Sequence, residues 1–164
     1  MSSSSSSDGC SLPGVVVRPA TLADLDVLVQ FSAAMAKETE DRTLDPDRLR
    51  QGARAVLESS ERGRYLVAEK DGTVVGQLLI TYEWSDWRNG VFWWIQSVYV
   101  APSARRRGIY RTMHQHVVRE ARARGDVCGV RLYVEKQNTA AQAAYARLGM
   151  KPTGYCVYEQ DFVL

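Results

Sequence analysis

Three adjacent arginines, Arg105, Arg106 and Arg107, stand directly ahead of Gly108 and a stretch of helical periodicity. Residues in this order can hold a phosphorylated ligand. The first turn of a helix leaves backbone N–H groups unpaired, its dipole favours negative charge, and glycine lets a ligand approach the backbone closely. Two commoner phosphate loops are excluded, because the chain contains neither GxxxxGK[ST] nor GxGxxG. His114 and His116 sit two apart on the same predicted helix, so they point to different faces and form no metal site. From Glu38 to Asp47, five acidic residues stand against Arg42 alone. That segment reads either as a solvated helix end and turn or as a region that draws in a cationic substrate.

The elements that must position these residues follow from pattern. Val15-Val16-Val17 reads as a short strand ended by Pro19. Thr21 and Asp24 form a capping box for a helix running from about Leu22 towards Glu40, with Leu22, Leu25, Leu28 and Val29 on its apolar face. Asp45-Pro46 starts a second helix. Arg64–Glu69 and Thr73–Trp84 flank Asp71-Gly72, a two-residue hairpin signal. Ser85 to Gly90 turns the chain into the apolar run Phe92–Val100, which fits a buried strand and ends before Pro102. A helix from about Gly108 to Arg124 stops at Gly125, and Val130–Val134 is a further strand. Asn138 caps a last helix that ends at Gly149, and Pro152 opens a terminal strand with Tyr155, Val157, Phe162 and Leu164 as its apolar members. The strand–helix–strand unit from Phe92 to Val134 implies one parallel pair with a right-handed crossover. The predicted fold is α/β, a mixed, mostly antiparallel sheet flanked by helices, in the order β-α-α-β-β-β-α-β-α-β. Residues 1–12, with their run of serines from Ser2 to Ser7, are expected to be a disordered tail, and 13–164 a single domain.

At 164 residues the chain is long enough for one sizeable core. A net charge of +2 gives no bulk attraction to nucleic acid or membrane, and no apolar run reaches the length of a membrane helix. Cys10, Cys128 and Cys156 are odd in number and form no CxxC, which favours free thiols in a cytoplasmic protein.

The strand, turn and helix start read Val98-Tyr99-Val100-Ala101-Pro102-Ser103-Ala104-Arg105-Arg106-Arg107-Gly108-Ile109-Tyr110. This resembles the acetyl-coenzyme A motif of the GNAT N-acetyltransferase superfamily, an apolar strand ending V-x-P followed by [QR]-x-x-G-x-[GA]. Tyr110 departs from the pattern, standing where glycine or alanine is usual. Asn138 to Met150 resembles the family's N-x-x-A-x-x-x-Y-x-x-x-G-[FM] helix, and the order of elements agrees over roughly 14–162.

The resemblance implies the acyl-CoA N-acyltransferase fold, acetyl-CoA as cosubstrate and an amine as acceptor. It implies that the strand matching Phe92–Val100 splays from the next parallel strand and that pantetheine lies in the gap. Backbone groups of Val98 and Val100, flanking Tyr99, would pair with it, and one N–H would polarise the thioester carbonyl. The N–H groups from Arg105 through Arg106, Arg107, Gly108, Ile109 and Tyr110 to Arg111 would hold the pyrophosphate, and some of the arginine side chains, Arg105 and Arg106 ahead of Arg107, would reach the 3′-phosphate while others are solvated. Tyr145 matches the tyrosine that protonates the departing thiolate, and Asn138 is a helix cap or a pantetheine contact. For the general base the strand offers no carboxylate. Glu83 is the first candidate, followed by Asp86 and Glu135. Trp84 and Trp87 could wall an acceptor pocket with Glu38 nearby, and a cation would bind their ring faces. A small cationic amine is the expected acceptor, and many members of the superfamily are homodimers. Two other readings fit the same residues: a non-catalytic acyl-CoA-binding module, and an acetyltransferase of peptide or protein amino groups. A nucleic-acid surface at the arginines is disfavoured by the near-neutral charge.

Overall fold

The computed structural model describes residues 12–163. They form two compact units, one ending at Tyr133 and the other beginning at Val134; each is described by itself.

The first unit holds one sheet. Its strands are β1 (Val15–Pro19), β2 (Arg64–Lys70), β3 (Thr73–Ser85), β4 (Gly90–Val100) and β5 (Val127–Leu132), lying side by side in that order. The first four pair antiparallel and β4 pairs with β5 in parallel, as the strand–helix–strand reading requires. The helices are α1 (Leu25–Glu40), α2 (Pro46–Leu57) and α3 (Ile109–Ala123). Alternation along the strands divides the core into two layers. Leu66, Leu78, Ile80, Trp93 and Ile95 meet Ile109, Met113 and Val117 of α3. Tyr65 and Val67 on the other face meet Leu25 and Leu28 of α1 and Ala53 of α2.

The caps are where the sequence places them. The Asp45 carboxylate accepts from the N–H groups of Asp47 and Arg48 at 2.9 and 3.0 Å, with Pro46 in the first turn of α2. Thr21 and Asp24 form their capping box over a short 3-10 turn, Leu22–Asp24, that leads into α1. Asp24 does more than cap. It is buried, and the guanidinium of Arg18 grips it through two bonds of 2.8 and 2.9 Å while also reaching Glu69. This ties β1, β2 and the start of α1 together. The Arg18 hydrogen bond holds the Asp24 carboxyl below its ordinary range, against the opposing effect of burial. Asp24→Asn should therefore lose about 2 kcal/mol in urea unfolding at neutral pH, a partly exposed pair being worth less than a fully buried one. A depressed carboxyl contributes stability above the unfolded pKa of about 3.9. The gap between variant and parent should therefore close as pH falls through that value and below it.

β5 begins three residues earlier than the predicted Val130 and stops before Tyr133 and Val134, which are exposed. Gly129, which precedes the predicted strand, lies inside β5. It stands opposite Phe92, and a Cβ there would come within 2.6 Å of the ring. The glycine leaves the space that Phe92 fills.

In the second unit, α4 (Thr139–Arg147) is capped by Asn138, whose side-chain oxygen accepts from the Ala141 N–H at 3.1 Å. Gly149, at φ 86°, ends it with bonds from Met150 N–H to the Tyr145 carbonyl and from Gly149 N–H to Ala146. The predicted terminal strand is not formed. Residues 151–163 carry no strand, and Tyr155, Val157, Tyr158 and Phe162 are exposed. Aromatic and β-branched composition favours a strand only where a neighbouring ladder takes up its backbone groups, and the described residues of this unit contain none. The serine run lies outside the described residues.

Candidate functional site

β4 has two different halves. Its pairing with β5 runs from Val91↔Val127 to Ile95↔Leu132 and ends there, while β4 continues to Val100 beside β3. The N–H of Ala101 donates to the carbonyl of Val75 at 2.8 Å. Alternation along an antiparallel strand then turns Tyr99 towards β3, and the N–H and C=O groups of Val98 and Val100 towards the opposite edge. A β-bulge sets this phase. The β3–β4 register slips between Gln77 and Leu79, and Ser97 sits at φ 50°, a left-handed conformation unusual for a non-glycine residue in a strand. The site residue that sequence reasoning missed most plainly is therefore Ser97. Its serine type carries no hint of a bulge.

Beyond β4 the chain makes a 3-10 turn, Pro102–Ala104, and reaches α3 through Arg105–Gly108. Arg106 at φ 60° and Gly108 at φ 79° are both left-handed, a backbone curl that glycine accepts without strain. Gly108 is the N-cap of α3 and contributes no side-chain cap; the first helical bond runs from Thr112 N–H to the Gly108 carbonyl at 3.0 Å. The N–H groups ahead of Thr112 thus fall outside the helix's own ladder, at the positive end of its dipole. Tyr110, the departure from the family pattern, lays its ring along the helix against His114 at 6.0 Å.

The three arginines are not equivalent. Arg105 donates through Nε to the Val100 carbonyl at 2.9 Å and through Nη2 to Glu38 at 2.6 Å, with its guanidinium 5.2 Å above the Tyr99 ring. Glu38 also accepts from the Tyr99 hydroxyl at 2.8 Å. The Tyr99 and Arg105 bonds hold the Glu38 carboxyl below the usual range, and burial with the Glu38 contact pushes the Tyr99 phenol up. Glu38, expected on the acceptor side, is thus a clip from the end of α1 to the turn. Arg106, Arg107 and Arg111 are exposed.

Other predicted residues lie further off. Trp84 pairs with Val91, and at about 3.3 Å per residue the stretch from Val91 to Val98 is roughly 23 Å. Trp84 and Trp87 are mostly exposed at that distant hairpin end and are not brought beside Val98. Glu83 accepts from the Trp94 indole N–H and, through both oxygens, from Arg131 at 3.0 and 3.3 Å. Arg131 covers Phe92 at 3.6 Å, and Trp94 stacks on Tyr133 at 4.4 Å. Trp93, on the other face, is buried beneath Arg64. Asp86 and Glu135 accept from the N–H groups of Trp87 and Gln137 within their own turns. In the second unit, burial raises the pKa of the Tyr145 phenol above its ordinary value near 10.

Comparison with known proteins settles the family. The model of the acetyltransferase (GNAT) family matches residues 29–150. The chain belongs to the GNAT family. A possible acetyltransferase from Clostridium difficile 630 is 41% identical, with a TM-score of 0.85 over 92% of this chain and 99% of that one. A ribosomal-protein-alanine N-acetyltransferase from Brucella melitensis shares the fold at 17% identity and TM-score 0.73, over 90% and 99% of the two chains. So does a predicted acetyltransferase from Clostridium acetobutylicum solved with acetyl-CoA, at 19% and 0.72 over 89% and 96%. No curated protein matches. The mixed five-strand sheet with flanking helices is the GNAT fold, and this GNAT chain has, among its described residues, no helix long and apolar enough to cross a membrane.

Proposed function

We propose that this GNAT chain transfers the acetyl group of acetyl-CoA to a primary amine by direct attack. The observation that carries the reading is the edge of β4 at Val98 and Val100 that β5 leaves uncovered, where Arg105 holds the Val100 carbonyl, leading into a helix start without a side-chain cap. Pantetheine lies along that edge in this reading, and one N–H there polarises the thioester carbonyl. The Arg105 N–H, expected at the pyrophosphate, instead donates to the Pro102 carbonyl at 3.4 Å, so in this reading the pyrophosphate meets the N–H groups that follow it, up to Arg111. Arg105 shapes the turn, and Arg106 and Arg107 are the side chains available to phosphate.

The amine lone pair attacks the thioester carbon, the C–N bond forms, and the C–S bond breaks. The ammonium proton passes to water. Tyr145 donates a proton to the departing thiolate and regains one from solvent. With both oxygens engaged, Glu83 serves to hold Trp94 and Arg131 in place. We read the two units as one acetyltransferase domain, because the family match runs across their boundary. The acceptor in this reading is a small cationic amine, and the free thiols Cys128 and Cys156 suit a reducing cytoplasm.

Thermal unfolding with and without acetyl-CoA tests the cofactor. A ligand of the native state at about 100 times its Kd stabilises by roughly 2.7 kcal/mol, so a clear rise in Tm is expected. No rise at saturating acetyl-CoA would overturn the reading. Thiol release measured over a panel of polyamines, amino sugars and peptides then identifies the acceptor class; activity on peptides alone would exclude the small amine.

A further inference from the structure

Gln77 lies fully buried in β3, beneath the bulge of β4. Its amide nitrogen donates to the Ser32 hydroxyl at 3.0 Å and to the Ser97 carbonyl at 3.3 Å. Ser32 is itself buried on α1. A bulged residue has no place in the strand ladder, and here a side chain from the neighbouring strand takes its carbonyl. The opposite placement of the amide would set the Gln77 oxygen against that carbonyl, two acceptors facing each other. In the placement adopted, Gln77 Oε1 is buried without a hydrogen-bond partner among the described residues, a cost the chain accepts in order to direct the nitrogen at Ser97.

The peptide that joins Ser97 to Val98 is planar and trans, so its C=O and N–H point in opposite directions. A grip on the Ser97 oxygen therefore fixes where the Val98 N–H points, towards the edge that β5 leaves uncovered. We propose that Gln77, steadied by Ser32, is a positioning residue for acetyl transfer: it locks the Ser97–Val98 peptide so that the Val98 N–H meets the thioester carbonyl. The inference rests on the reading of that edge as the acetyl-CoA site. Neither residue touches the cofactor in it, and neither belongs to the matched motifs.

The test is infrared difference spectroscopy of acetyl-CoA labelled with ¹³C at the thioester carbonyl, bound to the full chain. A carbonyl polarised by a fixed N–H absorbs at lower frequency than the same group free in water-excluded surroundings. The parent protein should show that downshift. Gln77→Leu and Ser32→Ala should each lose about half of it or more, while the Kd for acetyl-CoA, set mainly at the pyrophosphate turn, changes by less than about three-fold. Ser32→Thr, which keeps the hydroxyl, should restore the parental frequency. Should Gln77→Leu lose its cooperative unfolding transition, Ser32→Ala reads the same quantity by removing a single hydroxyl. A folded variant that binds acetyl-CoA with the full downshift overturns the inference, as does a parent that binds with none. A parent that does not bind acetyl-CoA overturns instead the reading of the site on which it rests.

Discussion

Tyr145→Phe is expected to lower kcat by about 10²- to 10³-fold, with the KM for acetyl-CoA within about two-fold of the parent. The substitution removes one hydroxyl and keeps the ring, so the helical position and its packing survive. On the proposed mechanism, what is lost is the proton for the departing sulfur. Burial pushes the phenol above its ordinary pKa, so the group stays protonated through the neutral range and is ready to donate. The same direction of shift means that the parental kcat should not fall, on account of this group, until the pH passes about 10. Steady-state kinetics with the acceptor found by the thiol-release panel checks both statements. A kcat unchanged in Tyr145→Phe would leave the residue a packing role alone.

Gly108→Val is expected to remove about half or more of the stabilisation by acetyl-CoA. Gly108 caps α3 at φ 79°, and a β-branched residue held there strains the backbone by about 1–3 kcal/mol. Its Cβ would also lie 3.2 Å from the Leu12 side chain, which can yield. The less strained outcome is a first turn that unwinds from the left-handed curl and scatters the N–H groups ahead of Thr112. α3 is seated on the sheet by Ile109, Met113 and Val117, so the rest of the helix should hold. The unliganded Tm should thus fall by only a few degrees, while the KM for acetyl-CoA rises by about ten-fold or more, each 1.4 kcal/mol of lost binding being a factor of ten. Gly108→Ala, with less strain at the same φ, should lie between the two.

How much of this was legible beforehand depended on the range of the signal. Asp45-Pro46, the Thr21–Asp24 box, the Asp71-Gly72 turn and Asn138 are local devices, and each does what its residues dictate. Trp93 and Trp94 take opposite faces because strand geometry leaves no other choice. Reading failed where a distant partner decides. Gly129 falls just outside the predicted strand until Phe92 is placed beside it. The terminal aromatic run looks like a strand until one asks what it pairs with. Glu38 looks like part of an acidic surface, but Arg105, far along the chain, claims its charge. The bulge at Ser97 was invisible for a related reason. Its support is Gln77, a polar residue inside an apolar strand whose purpose appears only with its neighbours.

The strands also differ in how far along the chain their partners lie, and this bears on the order in which the protein assembles. β2, β3 and β4 follow one another through short turns, Lys70 to Thr73 and Ser85 to Gly90. β1 reaches β2 only across α1 and α2, joining Val15 to Lys70, and β5 reaches β4 only across α3. Closing a longer loop costs more entropy before any contact rewards it, so the three-strand meander is the natural nucleus, with β1 and β5 added afterwards. The bulged edge of β4 and Gln77 beneath it both lie in that meander. The piece of backbone proposed for acetyl transfer therefore belongs to the part of the sheet expected to form first.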